Sequence, residues 1–270
     1  MKKWWLIGLV LLTLTGCSAE QAGTNLRGKS ISLQPKQDVP ESFFPKDIKI
    51  VSLGDSLTQG VGDSSDTGGY IPYLTSSLNS LSSINNTEFV NLGKKGLKTS
   101  GLLKKLEKPE VQKEIKEADL VIITIGGNDM MDVLKNNFSS LTLDLFVNET
   151  IEYEQRLTKI FEKIKTLNEE TGIVLIGIYN PFLAWLSDIP EAEEILNQWN
   201  ITSEKTLKSY DQTLYVEIAD IFMNLEDNLL YDDLFHPNDL GYQRISERLF
   251  EFLSKGNTLN TLIQSSKKEE

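Results

Sequence analysis

Short apolar runs alternate along this chain with stretches in which apolar residues recur every three or four positions. The runs are residues 48–53, 88–92, 120–125, 173–179 and 214–218. Residues 120–125 read Leu-Val-Ile-Ile-Thr-Ile, a nearly continuous β-branched run of the kind buried on both faces of a sheet. Helical spacing covers residues 70–81, through Tyr70, Tyr73, Leu74, Leu78 and Leu81, and recurs over 99–116, 141–168, 190–210 and 239–253. Pro109 should interrupt the second of these helices, because proline lacks an amide hydrogen and clashes with the preceding turn. Strand–helix alternation implies parallel strands joined by right-handed crossovers. The predicted fold class is therefore α/β, a three-layer α/β/α sandwich around an open sheet of about five parallel strands. In such sheets ligands bind beyond the C-terminal ends of the strands.

The first residues follow a different pattern. Lys2 and Lys3 precede an apolar stretch over residues 4–14. That stretch falls short of the roughly 20 residues a spanning helix needs, but it suits the core of a signal peptide. It ends in Leu14-Thr15-Gly16-Cys17, which resembles the lipobox of bacterial lipoproteins. The resemblance implies cleavage before Cys17, lipidation of Cys17, and an extracytoplasmic protein anchored to the membrane of a bacterial envelope. Cys17 is the only cysteine, and lipid attachment accounts for an unpaired cysteine in an exported chain. The expected organisation is a signal peptide over 1–16, a flexible polar tether over 17–45, one folded domain over 46–254 and a polar tail over 255–270.

Charge narrows the partners. The formal net charge is −12, which argues against nucleic acid as the main partner. It also argues against broad adhesion to anionic lipid, leaving membrane contact to the anchor.

The candidate chemistry follows the strands. Gly54-Asp55-Ser56-Leu57 comes after the first run, where a glycine permits a tight turn and the serine sits near a helix start; an Asp-Ser turn or N-cap is the plain alternative. Asn91-Leu92-Gly93-Lys94-Lys95-Gly96 follows the second run. Gly126-Gly127-Asn128-Asp129 follows the third, where Asn128 can donate side-chain N–H groups and Asp129 could cap the next helix. His236, the only histidine, lies three residues after Asp233, a spacing that lets the carboxylate reach the ring nitrogen Nδ1. Asp232 is a rival for that contact.

Each of these patterns is common by itself. In this order, they closely resemble the four blocks of the SGNH (GDSL-type) hydrolase superfamily over roughly residues 48–253. The resemblance implies a flavodoxin-like sheet and serine esterase or lipase activity through a Ser-His-Asp triad. It makes Ser56 the nucleophile, His236 the general base and Asp233 its orienting partner. The oxyanion hole would be the Ser56 and Gly96 amides and the Asn128 side chain, with Asp55, Asn91 and Asp129 supporting them. Gly93 remains an alternative to Gly96.

No cofactor or metal is expected, since one histidine leaves little besides carboxylates for a metal to bind. Small esters are the expected partners: lysophospholipid, short-chain acyl esters or O-acetylated cell-wall glycan. Lys94 and Lys95, if they line the site mouth, would favour anionic substrates; two solvated loop lysines are the simpler reading. Phe182, Leu183, Trp185 and Leu186 could bind an acyl chain or pack on the next helix. A non-catalytic ligand-binding lipoprotein on the same fold is the rival reading.

Overall fold

The computed structural model describes residues 44–137, 140, 142–180, 190–223 and 228–263. The signal peptide, Cys17, the tether up to residue 43 and the cluster Phe182, Leu183, Trp185 and Leu186 lie outside these residues.

Five strands form one sheet: β1 (Lys46–Gly54), β2 (Ile84–Gly93), β3 (Leu120–Thr124), β4 (Gly172–Ile176) and β5 (Thr213–Val216). Their order is β2-β1-β3-β4-β5 and every neighbouring pair is parallel. The fold is α/β, as the hydrophobic pattern predicts. Every residue of β3 and of β4 is buried, which is what their unbroken apolar runs require.

Successive side chains point to opposite faces of the sheet. Ile48, Ile50, Leu120, Ile122 and Val174 join one core with α2 (Tyr70–Asn79) and the closing helix over Asp239–Ser254. Val51, Leu53, Val121, Ile123 and Leu175 join the other. That second core is covered by α3 (Thr99–Lys105), α4 (Pro109–Lys116), α6 (Leu143–Leu167) and α7 (Pro190–Leu207). Pro109 does split the 99–116 helix, becoming the first residue of α4, where its missing N–H breaks no helical bond. Two further helices follow strand ends: α1 (Ser56–Gln59) after β1 and α5 (Gly127–Asn136) after β3. The Asp239–Ser254 helix is α8.

Three elements depart from the sequence pattern. β2 begins at Ile84, four residues before the expected run, because an edge strand pairs on one side only and can leave Asn85 and Asn86 exposed. No periodicity announced α5. Residues 258–263, expected within a polar tail, form α9 (Thr258–Ile263) and bury Leu259, Leu262 and Ile263. Gly172 makes this docking possible, since a Cβ there would lie 2.6 Å from the Leu262 carbonyl oxygen. Among the described residues, no helix is long and apolar enough to cross a membrane.

Candidate active site

β1 and β3 converge closely just before Ser56. At Gly54 (φ 146°) a Cβ would lie 2.2 Å from the Thr124 carbonyl oxygen, so only glycine fits. The next amide, that of Asp55, donates to the same carbonyl at 3.1 Å. The Asp55 carboxylate accepts from the Leu57 amide at 3.1 Å, capping α1, and from the Thr124 hydroxyl at 3.0 Å. Thr124 in turn lies 2.8 Å from the Thr58 hydroxyl. Burial pushes the Asp55 carboxyl up to about 6, against the opposing pull of these hydrogen bonds. Ser56, the first residue of α1, is buried and lines a cavity that Asn128 also lines. Asp55 and Thr124 also line that cavity, and its apolar walls include Met130, Met131, Ile176, Ile178, Tyr179 and Phe235.

The second strand is tied to the helix that begins at Ser56. The Asn91 side-chain amide donates to the Thr58 carbonyl at 2.8 Å, while its oxygen accepts from the Gly93 amide at 2.9 Å. A Cβ at Gly93 would lie 2.2 Å from the Gln59 nitrogen, so Gly93 is a close-packing residue whose N–H is already engaged. Gly96 is different: it is exposed, has φ 75° and has nothing within 4 Å of a Cβ position.

Asn128 lies in the first turn of α5 and donates one amide hydrogen to the Leu97 carbonyl at 3.2 Å. The neighbouring Asp129 does not cap α5. Its buried carboxylate turns to the next loop, accepting from the Thr99 amide at 3.0 Å and the Thr99 hydroxyl at 2.5 Å. Arg156, from α6, donates through Nε to the Thr99 hydroxyl at 2.6 Å and through its terminal nitrogen to Asp129 and Glu149. Burial raises the Asp129 carboxyl, with the bonds from Thr99 and the charge of Arg156 opposing it. This knot fixes the 94–98 loop against the start of α5.

His236 arrives on a tight loop closed by an antiparallel bridge between Leu230 and Pro237. Leu234 sits at φ 54°, turning the chain so that Asp233 and His236 face each other. Asp233 Oδ2 lies 2.6 Å from His236 Nδ1. Its Oδ1 accepts from the Phe235 amide at 3.0 Å and the His236 amide at 2.9 Å. Burial works to raise the Asp233 carboxyl, but the bonds from His236 and Phe235 outweigh it and hold the group below its ordinary value. Asp232 is exposed, and the ring contact goes to Asp233. The imidazole is buried, edge-on to the Phe235 ring at 4.9 Å.

The loop over residues 60–69 seats the histidine loop beside α1. At Gly62 a Cβ would lie 2.4 Å from the Pro237 oxygen and 3.4 Å from His236 Cβ. Tyr242, on α8, donates to the Val61 carbonyl at 2.7 Å and reaches the Ser56 carbonyl at 3.5 Å. Ser64 donates its amide (2.8 Å) and hydroxyl (2.5 Å) to Asp239, three residues beyond His236. Asp63 organises the loop by accepting from the amides of Ser65, Thr67, Gly68 and Gly69. Tyr179 holds the far side by donating to the Phe235 carbonyl at 2.6 Å.

Sequence reasoning missed Thr124, Arg156, Asp63, Asp239 and Tyr242. Only Asp63 carried a local signal, a run of Ser, Asp, Thr and Gly that reads as a side-chain-bonded turn.

A family model for the GDSL-like lipase/acylhydrolase family matches residues 52–244. The chain belongs to this family. Among relatives, this GDSL-like hydrolase is 36% identical over 248 residues to a Bacillus subtilis (strain 168) protein named YpmR and described as uncharacterized, covering 91% of this chain and 93% of that one. It is 26% identical over 210 residues to the spore germination lipase LipC of Bacillus licheniformis, covering 75% of this chain and 94% of LipC. Among solved structures, the lipase Lip_vut3 from a goat rumen metagenome superposes with a TM-score of 0.67 at 26% identity, covering 75% of this chain and 95% of the lipase. The enzyme is a carboxylic ester hydrolase.

Proposed function

We propose that this GDSL-like hydrolase is a serine esterase of the cell envelope, working through Ser56, His236 and Asp233. The observation that carries the reading is the 2.6 Å contact between Asp233 and His236 Nδ1, on a loop packed against the segment that follows Ser56. A carboxylate at Nδ1 fixes the proton there and leaves Nε2 as the base. Nε2 removes the Ser56 proton as the hydroxyl oxygen attacks the ester carbonyl carbon. The tetrahedral intermediate carries its charge on the former carbonyl oxygen. Donors for it are the Ser56 amide, the Gly96 amide and the second hydrogen of the Asn128 amide. Engagement of the Gly93 amide by Asn91 favours Gly96 as the second donor. His236 then gives its proton to the departing alcohol, and water cleaves the acyl-enzyme by the reverse sequence.

The substrate is a small ester, and the apolar cavity beside Ser56 suits the acyl group. Lysophospholipids, short-chain acyl esters and O-acetylated wall glycans all present such a bond. The lipobox-like Leu14-Thr15-Gly16-Cys17 supports the reading of a site outside the cytoplasm, with a lipid on Cys17 as its membrane anchor.

Hydrolysis of p-nitrophenyl esters from acetate to palmitate tests the catalytic assignment. Ser56→Ala and His236→Ala should each cut turnover by at least about 10³-fold, and a fluorophosphonate should label the natural protein but not Ser56→Ala. A folded protein that hydrolyses no ester and takes no label overturns the reading. Fractionation of cells carrying Cys17→Ser tests the anchor. The variant should leave the membrane fraction, and its retention there would remove the lipoprotein assignment.

A further inference from the structure

The loop between β2 and α3 holds two lysines beside the nucleophile by their backbones. The Lys94 amide donates at 2.9 Å to the carbonyl of Gly54, two residues before Ser56. The Lys95 amide donates at 2.5 Å to the side chain of Gln59, the last residue of Ser56's helix. Both side chains are exposed, and neither ammonium has a hydrogen-bond or ion-pair partner among the described residues. The main chain of this loop is therefore tied down while its two cations remain unneutralised.

The surroundings concentrate that charge. Residues 94–108 contain six lysines and one acid, Glu107, in a chain whose net charge is −12. Glu107 is paired elsewhere, with Lys163, and Lys98 is neutralised by Asp132. Lys105, half-buried, donates to the Leu92 carbonyl. Its ammonium is pushed down by burial and then by the neighbouring charges of Lys108 and Lys94. Lys94 thus belongs to a group of like charges that an anion would relieve.

Strand order gives this charge a direction. In β2-β1-β3-β4 the lysine loop follows β2, Ser56 follows β1, and the apolar part of the cavity comes mainly from residues after β3 and at the end of β4, with Phe235 of the histidine loop. Cations and apolar pocket flank the nucleophile on opposite sides. The histidine loop, by contrast, presents carboxylates: Asp232 and Asp233 are exposed, and Asp239 and Asp63 lie next to it. An ester with an apolar acyl group and a negative charge on its alcohol portion matches this layout, and a cationic alcohol does not.

We infer that the β2–α3 loop is an anion subsite, and that the preferred substrates are acyl esters of phosphate-bearing alcohols. The inference rests on the serine esterase reading of the same site. Lys94 and Lys95 are mobile point charges with three donors each, suited to a phosphate while the acyl group enters the cavity. Because both are solvent-exposed, the attraction is screened over a Debye length of about 10 Å at 0.1 M salt.

The test compares kcat/KM for 1-butyrylglycerol 3-phosphate with that for 1-butyrylglycerol, in the natural protein and in Lys94→Ala/Lys95→Ala. The loop bonds are made by the backbone amides, so the double variant keeps them. The phosphate-to-neutral ratio should fall about tenfold in the variant at low salt, and in the natural protein it should fall as salt rises. A ratio unchanged within about twofold on lysine substitution and on added salt, for this pair and for the long-chain pair that follows, overturns the subsite. Repeating the comparison with lysophosphatidylglycerol and monoacylglycerol identifies the source of the phosphate. A lysine-dependent preference in both pairs marks any phosphate ester; one confined to the long-chain pair marks a lipid headgroup. If no ester is turned over, calorimetric binding of 1-butyrylglycerol 3-phosphate to Ser56→Ala, with and without the lysine substitutions, still decides. Lysine-dependent binding upholds the subsite although the esterase reading has failed, and binding that ignores the lysines, or no binding, removes it.

Discussion

The Ser56 side of the site and the His236 side are held in opposite ways. Around Ser56 the retaining groups are buried: Asp55 and Asp129 are 5% and 3% exposed, and each is bonded across to another segment. On the other side, the Asp233 side chain is 38% exposed and bonds within its own four-residue turn. Environment separates the carboxyls accordingly. Burial lifts Asp55 to about 6, whereas its bonds keep Asp233 below the ordinary range. One acid pins strand ends together; the other stays ionised beside an imidazole. Chemistry that moves a proton needs the second kind, and a rigid strand edge needs the first.

The largest test of this contrast is Asp233→Asn. Its amide can still meet the ring but cannot provide a negative charge, and it favours the wrong tautomer. A loss in kcat on the order of 10²–10⁴ is expected with little change in melting temperature. A loss below about tenfold would mean that the exposed carboxylate contributes little to the imidazole.

Asp55→Asn should act on stability instead. The folded-state value of about 6 exceeds the ordinary aspartate value of 3.8, so Asp55 contributes stability that is fully present below the unfolded value and lost as pH rises through 6. An asparagine does not ionise and avoids that loss. Urea unfolding at pH 4 and pH 7 should show the variant gaining about 2 kcal/mol on the natural protein across the interval. A constant difference would show that Asp55 is ionised throughout.

Asp239→Ala should have the smallest effect. It removes two hydrogen bonds from Ser64 that help seat the histidine loop. At roughly 0.5–1.5 kcal/mol per bond, and with solvent exchange at an exposed site, kcat should fall about two- to tenfold with KM unchanged. Asp239→Asn should restore it, since an amide oxygen can accept from the Ser64 amide and its nitrogen can donate to the Ser64 hydroxyl. Equal kcat in the alanine variant and the natural protein would make the contact merely structural.

Legibility in the sequence followed the range of the interactions. β1, β3 and β4 were readable because burial on both faces demands unbroken apolar runs. Pro109 was readable because its effect is covalent and local. The pairing of Asp233 with His236 was readable because it spans three residues. Asp129 was not: a carboxylate in the first turn of a helix looks like a cap, and its actual partner, Thr99, is 30 residues away. Arg156 gave no sign of its role on a helix rich in charged residues. β2 was read short because an edge strand needs no apolar alternation where it meets solvent. Residues 258–263 were read as tail because one turn of helix with three apolar residues is too short to show a period.

The route of the chain also gives the site a timetable. Ser56 stands on the central part of the sheet and is complete once β1, β2 and β3 have paired. His236, its proposed base, comes from the last quarter of the chain, on a loop held by Gly62, Ser64, Tyr179 and Tyr242. With the proposed roles of Ser56 and His236, a chain still emerging from the ribosome would carry its serine without a base and would be chemically silent until α8 docks.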